Sequence, residues 1–360
     1  MTRVHNFSPG PAAIPLPALE RARDEMLDFA GTGMSIMEMS HRGKVYDAVH
    51  EEATDLVRRL MRVPSDYDIL FLQGGATHQF AQIPLNFRGP EQSADYIVAG
   101  AFGKKAYKEA AHTGRARIAA TTEESGGKFF RVPEERECEF DPNAAYVHMT
   151  SNNTIMGTES RTFPNTGSVP LLVDMSSDIM GVEHDVSQFA LIYAGAQKNL
   201  GPSGVTVVIA RRELIDRGRS DIPFIWQYRT QRDERSLANT VPTFGIYMLR
   251  NTLSWLEQMG GVPWAAEQNR KKAELVYQAL ERRPDLYRLT VEKASRSVMN
   301  VVWNLPTEEM AAEMVKRATS AGLVGLKGHR IVGGLRASLY NAVPLESVQA
   351  LVAFLDSYQP

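Results

Sequence analysis

The chain has 360 residues, 43% hydrophobic and 23% charged, with 40 lysines and arginines against 42 aspartates and glutamates. A formal net charge of -2 gives no overall pull toward nucleic acid or a membrane surface, so any anion site must be built locally. Cys138 is the single cysteine, which excludes an intrachain disulfide and a cysteine-based zinc site.

The length suits one large domain plus a smaller one. The start, "FSPGPAAIPLP" at 7–17, is rich in Pro and Gly and predicts an extended, looped segment. It lacks the charged stretch and apolar core of a signal peptide, and no apolar run nears the ~20 residues that span a bilayer. The expectation is a cytoplasmic α/β protein without membrane contact. Residues 18–33, "ALERARDEMLDFAGTG", predict a helix closed by Gly31 and Gly33. Residues 44–61, "KVYDAVHEEATDLVRRLM", predict a second, with Val45, Val49, Leu56 and Leu60 on one face.

The texture then changes. A short apolar run, Ile69 to Leu72, meets Gly74-Gly75 and a helical pattern follows. "ADYIVAG" at 94–100 repeats the arrangement, with Gly100 ahead of an amphipathic helix. "AAYVHMTSNNT" (144–154), "SVPLLVDMSSD" (168–178), "ALIYAGAQK" (190–198) and "VTVVIA" (205–210) are further apolar runs, most of them closing in polar residues. Strands alternating with helices predict a largely parallel sheet covered on both faces. "NTVPTFGIYMLRNTLSWLEQMGG" predicts a long helix ending at Gly260-Gly261. Mixed helical and strand patterns follow it and predict a smaller α+β unit. The expected division is an extended segment at 1–15 packing near the small domain, a large domain at 16–260 and a small one at 261–360.

In open parallel sheets, ligands bind beyond the carboxyl ends of the strands. Gly74 to Thr77, Gly100 to Phe102, Thr154, Asp174 and Gln197-Lys198 fall in those slots. Taken alone, Asp174 reads first as a cap or turn residue. The functional alternative is a carboxylate paired with a cationic ligand group, such as a protonated pyridine nitrogen. Lone lysines are usually solvated. Lys198, however, has Ala194, Gly195, Ala196 and Gly201 around it, and such small residues let a planar ligand approach the backbone. A partly desolvated lysine becomes a usable amine nucleophile, suited to an aldehyde cofactor. Together the two residues point to pyridoxal 5'-phosphate (PLP), which needs both partners. "QGGATHQF" at 73–80 adds exposed backbone N–H groups at a helix start, where a phosphate can sit, although Gly-Gly there is more often only a tight turn. His41-Arg42 and His329-Arg330, with Arg336 beyond, each read singly as surface or structural residues. Arginine nonetheless suits carboxylate and phosphate through its planar fork of donors.

"NFSPGPA" (6–12), "MEMSHRGK" (37–44), "GGATHQF" (74–80), "VDMSSDI" (173–179), "YAGAQKNLGPSG" (193–204), "NTVPTFGIY" (239–247) and "GLKGHRIVGGLRASLYNAVP" (325–344) together resemble the phosphoserine aminotransferases. These are PLP enzymes of fold type I in the class V aminotransferase group, and the resemblance runs end to end. It implies an α/β fold: a large domain around a mainly parallel seven-stranded sheet, and a smaller α+β C-terminal domain. It implies that Lys198 bonds to PLP and moves the proton at the substrate Cα, that Asp174 pairs the pyridine nitrogen, and that Thr154 bonds the ring's phenolic oxygen. Phe102 would stack on the ring. Backbone at Ala76-Thr77, with Ser176 and Gln197, would hold the cofactor phosphate. Asn239 and Thr240 would reach it from a partner subunit, so a homodimer with shared sites follows. The substrates implied are L-glutamate and 3-phosphohydroxypyruvate, in serine biosynthesis, with 4-phosphohydroxy-L-threonine a further substrate in pyridoxine biosynthesis for some members. Arg336 would take the α-carboxylate, and His41, Arg42, His329 and Arg330 the substrate phosphate. No metal is implied.

Two positions depart from the family pattern. Many members carry Trp where this chain has Phe102, and some carry Arg where it has Thr77. The nearest rivals are class V aminotransferases for unphosphorylated substrates, of the alanine/serine–glyoxylate type, which have no use for so many cations. A cysteine desulfurase needs a mobile reactive cysteine, and Cys138 lies in "PEERECEFDP", away from the expected site. A fold-only binding protein would be free to lose both Lys198 and Asp174.

Overall fold

The computed structural model describes residues 3–360. The chain opens with β1 (His5–Asn6), α1 (Leu16–Asp24) and α2 (Lys44–Leu60), then alternates through β2 (Tyr67–Gln73), α3 (Thr77–Phe87), β3 (Ala94–Val98), α4 (Ala101–Thr113) and β4 (Ala116–Thr121). Next come β5 (Val147–Thr150), the small hairpin β6 (Asn152–Asn153) and β7 (Thr158–Glu159), then β8 (Leu171–Asp174), β9 (Leu191–Gly195) and β10 (Val205–Arg211). Helices α5 (Arg212–Asp216), α6 (Tyr228–Asp233), α7 (Thr243–Gln258) and α8 (Gly261–Glu281) follow. The chain closes with β11 (Asn300–Trp303), α9 (Glu308–Ser320), β12 (Leu323–Val324), β13 (Leu335–Ser338) and α10 (Leu345–Ser357).

Seven strands form one sheet in the order β2-β10-β9-β8-β5-β3-β4. β10 runs antiparallel to β2 and β9, and the other pairs are parallel. Helices cover both faces, so the central strands are apolar without alternation, as in the fully buried "LLVD" of β8 and "LIYAG" of β9. β4 was not among the apolar runs of the sequence because it is an edge strand: "ARIAAT" leaves Ile118 45% exposed.

Two helix boundaries differ from the periodicity. α1 stops at Asp24. Ala30, Gly31 and Gly33 beyond it adopt positive φ, and Leu27 is exposed, so no apolar face continues past the stop. α2 buries Tyr46, Val49, His50, Ala53, Leu56 and Val57, while Val45 points outward. Aromatic Tyr46, not Val45, opens the buried stripe.

Two kinds of core result. One lies against the large sheet; the other gathers Phe7 with α8, α9, α10, β11 and β13. β1 pairs in parallel with β12, which ties the first described residues to this second core. Helix α8 enters both cores, with Val262 and Ala265 in the first and Ala273, Val276 and Leu280 in the second. Among the described residues no helix is long and apolar enough to cross a membrane, and no cluster of metal-ligating side chains occurs.

Candidate active site

Beyond the carboxyl ends of β5, β8 and β9, loops converge on a cavity of about 270 Å³. Parallel strands end on the same edge of a sheet, which is why residues distant in sequence meet there. Asp174 is the last residue of β8 and is 4% exposed. Its Oδ1 accepts from the Ser176 backbone N at 2.9 Å and the Ser176 Oγ at 2.6 Å. Ser176 Oγ accepts in turn from the Gly195 N at 3.1 Å. The carboxyl is therefore fixed through one oxygen, and no donor among the described residues reaches the other. Burial holds Asp174 above the usual carboxylate range, with the Ser176 bonds and the Lys198 charge acting against it.

Lys198 stands three residues past the end of β9. Its Nζ donates to Thr154 Oγ1 at 2.5 Å and lies 5.6 Å from the centroid of the Phe102 ring. Burial pulls the amine down to about 8, against the raising fields of Asp174 and Asp178. The N-terminal loop encloses the lysine stem. Gly10 has φ +139°, which favours glycine, and a Cβ there would meet Lys198 Cγ at 3.4 Å and Gln197 Cγ at 3.5 Å, in ordinary contact. Asn199 pins the following turn by donating to the Ile179 carbonyl at 3.0 Å and accepting from the Asn341 N at 3.0 Å.

Two helices aim their N-termini at the cavity. α3 starts after Gly74-Gly75 with Ala76 as its cap residue, and it has neither a side-chain cap nor an acid in its first turn. The N–H groups of Ala76 and Thr77 have no acceptor among the described residues, which leaves a cradle for an anion. α4 starts after Gly100, again without a cap bond or a first-turn acid, and brings Phe102 to the cavity wall.

A cationic wall completes the site. Arg336, on β13, is 6% exposed and donates through Nη1 to the Thr154 carbonyl at 3.0 Å, while its buried Nε has no partner. His329 also lines the cavity. Burial, then the charges of Arg336, Arg330 and Lys105, lower its pKa. PLP thus finds an amine, a carboxyl with a free oxygen, an aromatic face and an uncapped helix start around one cavity. The donor set fits the cofactor.

The cavity lining includes Ala76, Thr77, Phe102, Thr154, Asp174, Ser176, Gln197, Lys198, His329 and Arg336. Ser176 was expected at the cofactor phosphate, but its hydroxyl is occupied by Asp174 and Gly195. His41 and Arg42, in the turn before α2, do not line the single-chain cavity, nor does the exposed Arg330. Asn239 and Thr240 are exposed ahead of α7, where the Thr240 carbonyl accepts from Gln73 Nε2 at 2.7 Å. Lining residues that the sequence did not single out include Thr150, Ile155, Lys105, Asn152 and Ser177. The polar tails "TSNNT" and "DMSSD" carried a signal for the last two. Asn152 donates to Ser177 Oγ at 2.7 Å and Asn300 Oδ1 at 2.8 Å, which joins the large sheet to β11. Cys138 lies outside the cavity, and burial pushes its thiol up to about 11, leaving it unreactive.

The class-V aminotransferase family model matches residues 4–351. The chain is similar to proteins named phosphoserine aminotransferase: 50% identical to that of Halalkalibacterium halodurans, over 99% of each chain, and 50% identical to that of Geobacillus kaustophilus, over 100% of this chain and 99% of the other. Among solved structures, it superimposes on phosphoserine aminotransferase from Bacillus circulans subsp. alkalophilus with a TM-score of 0.96 at 50% identity, covering 98% of both chains. A PLP-bound phosphoserine aminotransferase from Trichomonas vaginalis gives 0.94 at 36% identity, covering 99% of this chain and 100% of the other.

Proposed function

The chain belongs to the class-V aminotransferase family, and on that premise we propose that it moves an amino group between L-glutamate and 3-phosphohydroxypyruvate, giving O-phospho-L-serine and 2-oxoglutarate. It is a PLP-dependent transaminase. Bound PLP supplies the sink for the electron pair left when the substrate Cα loses its proton. Lys198 Nζ holds the cofactor aldehyde and carries that proton, and an amine near pKa 8 suits both tasks. Asp174 pairs the ring nitrogen through its free oxygen and keeps it protonated, with Ser176 as its positioning group. Thr154, already bonded to Lys198, bonds the ring hydroxyl. Ala76, Thr77 and Gln197 hold the cofactor phosphate, and Phe102 stacks on the ring.

The observation that carries the phosphorylated substrate is the one-sided charge of the cavity. Arg336 and Lys105 bring positive charge to it beside Lys198, His329 adds a ring nitrogen, and Asp174 is the only carboxylate in the lining among the described residues. Arg336, with donors to spare, takes the α-carboxylate. His329 and Arg330 meet the phosphate. His41, Arg42, Asn239 and Thr240 do not line the single-chain cavity, and we assign them to the site of a second copy, making the enzyme a homodimer. 4-Phosphohydroxy-L-threonine carries the same end groups and fits the same clamp. The chain divides near residue 260, with residues 1–15 packing beside the small domain. A cytoplasmic setting suits its single free thiol.

The test is a titration of the holoenzyme with L-phosphoserine, L-serine and L-alanine, followed by cofactor absorbance. Phosphoserine alone should convert the cofactor to its amine form at low concentration. Equal conversion by serine or alanine would mean a general class V aminotransferase instead. For the dimer, two inactive variants, Lys198→Ala and Asn239→Ala/Thr240→Ala, should recover activity when subunits are mixed. No recovery would return Asn239 and Thr240 to a structural role.

A further inference from the structure

Helix α4 carries two consecutive lysines with different surroundings. Lys104 is paired with Glu123. Lys105 has no carboxylate partner among the described residues, yet it lines the same cavity as Lys198, His329 and Arg336. It stands three residues after Phe102, on the same face of the helix, with its Nζ 5.3 Å from the Phe102 ring centroid. A lysine this close to a helix start opposes the macrodipole. The first turn of α4 holds no acid that would offset it, and neither does the first turn of α3. Two positive helix ends and an unpaired ammonium therefore point at one small volume. That arrangement costs the empty fold some stability and favours a dianion.

The place of this charge matters because Thr77, at the head of α3, brings none. We propose that Lys105 is a specificity-determining residue: its ammonium meets the substrate phosphate from the α4 side of the cavity. The inference rests on the reading of the substrate as phosphorylated and adds a contact to it. His329 feels the charge of Lys105 after its own burial and the two arginines, so the two groups lie near each other in the lining. Lys105 is exposed at the rim, so its replacement leaves the core intact.

The experiment compares holoenzymes carrying Lys105→Met and Lys105→Arg with the parent in separate half-reactions, using L-phosphoserine and L-glutamate. Lys105→Met should raise the apparent Kd for phosphoserine roughly ten- to a hundredfold, as removal of one charge-assisted bond predicts, and should weaken inhibition by inorganic phosphate alike. The glutamate half-reaction should lose less, since the γ-carboxylate that reaches the same end of the cavity carries one charge where the phosphate carries two. Lys105→Arg should restore most of the phosphoserine affinity. Unchanged phosphoserine affinity in Lys105→Met, with the parent still preferring phosphoserine to serine, overturns the role of Lys105 alone. Equal losses in both half-reactions also overturn it and make Lys105 a support for Phe102. A parent without preference for phosphoserine overturns the substrate reading itself.

Discussion

Ser176 separates two accounts of this site. Placed at the cofactor phosphate, it would be one anchor among several; as the structure has it, it holds Asp174. Ser176→Ala removes the 2.6 Å bond to Asp174 Oδ1 and strips the acceptor from the Gly195 N–H. A hydrogen bond to a charged acceptor contributes about 1.5–3 kcal/mol, so the carboxylate loses that much against its protonated form. Burial already holds Asp174 above its ordinary value, and the Ser176 bonds are the first influence that pulls it back. A carboxyl raised by folding favours the native state below its unfolded pKa and loses that contribution as pH rises through the folded one. The empty variant should therefore unfold more readily than the parent at neutral pH. The loaded variant should bind PLP about ten- to a hundredfold more weakly, the same free energy expressed as affinity. Its acid limb of activity should move to higher pH. The assay is equilibrium binding of PLP and of pyridoxal, which lacks the phosphate, followed by absorbance. Loss of affinity for both compounds by the same factor supports Ser176 acting through Asp174. Loss confined to PLP, with the acid limb unmoved, would refute the reasoning and return Ser176 to the phosphate.

Four further outcomes follow from the structure. Uptake of PLP by the apoprotein should accelerate with pH and level off above about 8, because only the neutral Lys198 amine reacts; a midpoint near 10.5 would contradict a desolvated lysine. With its folded pKa depressed, the same group makes the apoprotein gain stability as pH rises between about 8 and 10.5. Lys272 is 2% exposed and donates to the carbonyls of Leu339, Tyr340 and Val343 at 2.7, 2.8 and 3.1 Å. Lys272→Met should cost about 3–5 kcal/mol in denaturant unfolding, since it strands three buried acceptors, and a loss below about 1 kcal/mol would show that water replaces the ammonium. Phe102→Trp should tighten PLP retention by about 0.5–1.5 kcal/mol through greater stacking; unchanged dialysis loss would remove the stack from the account.

The chemistry of the site was more legible than its assembly. Lys198 and Asp174 were legible as a pair more than singly: each follows an apolar run, a lone aspartate there reads as a cap and a lone lysine as solvated, and only together do they point to one cofactor. The seven-stranded sheet was legible wherever both faces are covered, and least so at β4, whose exposed edge admits polar residues. The helix face of α2 shifted by one residue because burial follows volume and contact as well as period. Lys105 gave no signal, since a Lys-Lys pair on an amphipathic helix reads as a solvated face. Only the fold shows that one of the pair looks into the cavity. Ser176, two residues past Asp174, can serve either end of a cofactor, and its hydrogen bonds in the structure go to Asp174 and Gly195. His41, Arg42, Asn239 and Thr240 could be read as site residues only from the resemblance, because a single chain leaves them outside the cavity.

Helix α8 has roots in both cores, and this governs how the molecule comes apart. No flexible linker stands between residues 258 and 265: the large core grips the first turns of a 21-residue helix and the small core grips the last. Melting the small core would fray the far half of α8, and the break would run along the backbone toward Val262. A fragment beginning after Gly261 would expose Val262 and Ala265, and a fragment ending there would leave the large core short of them. The two cores are thus coupled parts of one cooperative unit. Heat should unfold them in a single transition, and slow-exchanging amides should run through α8 without a gap at the boundary.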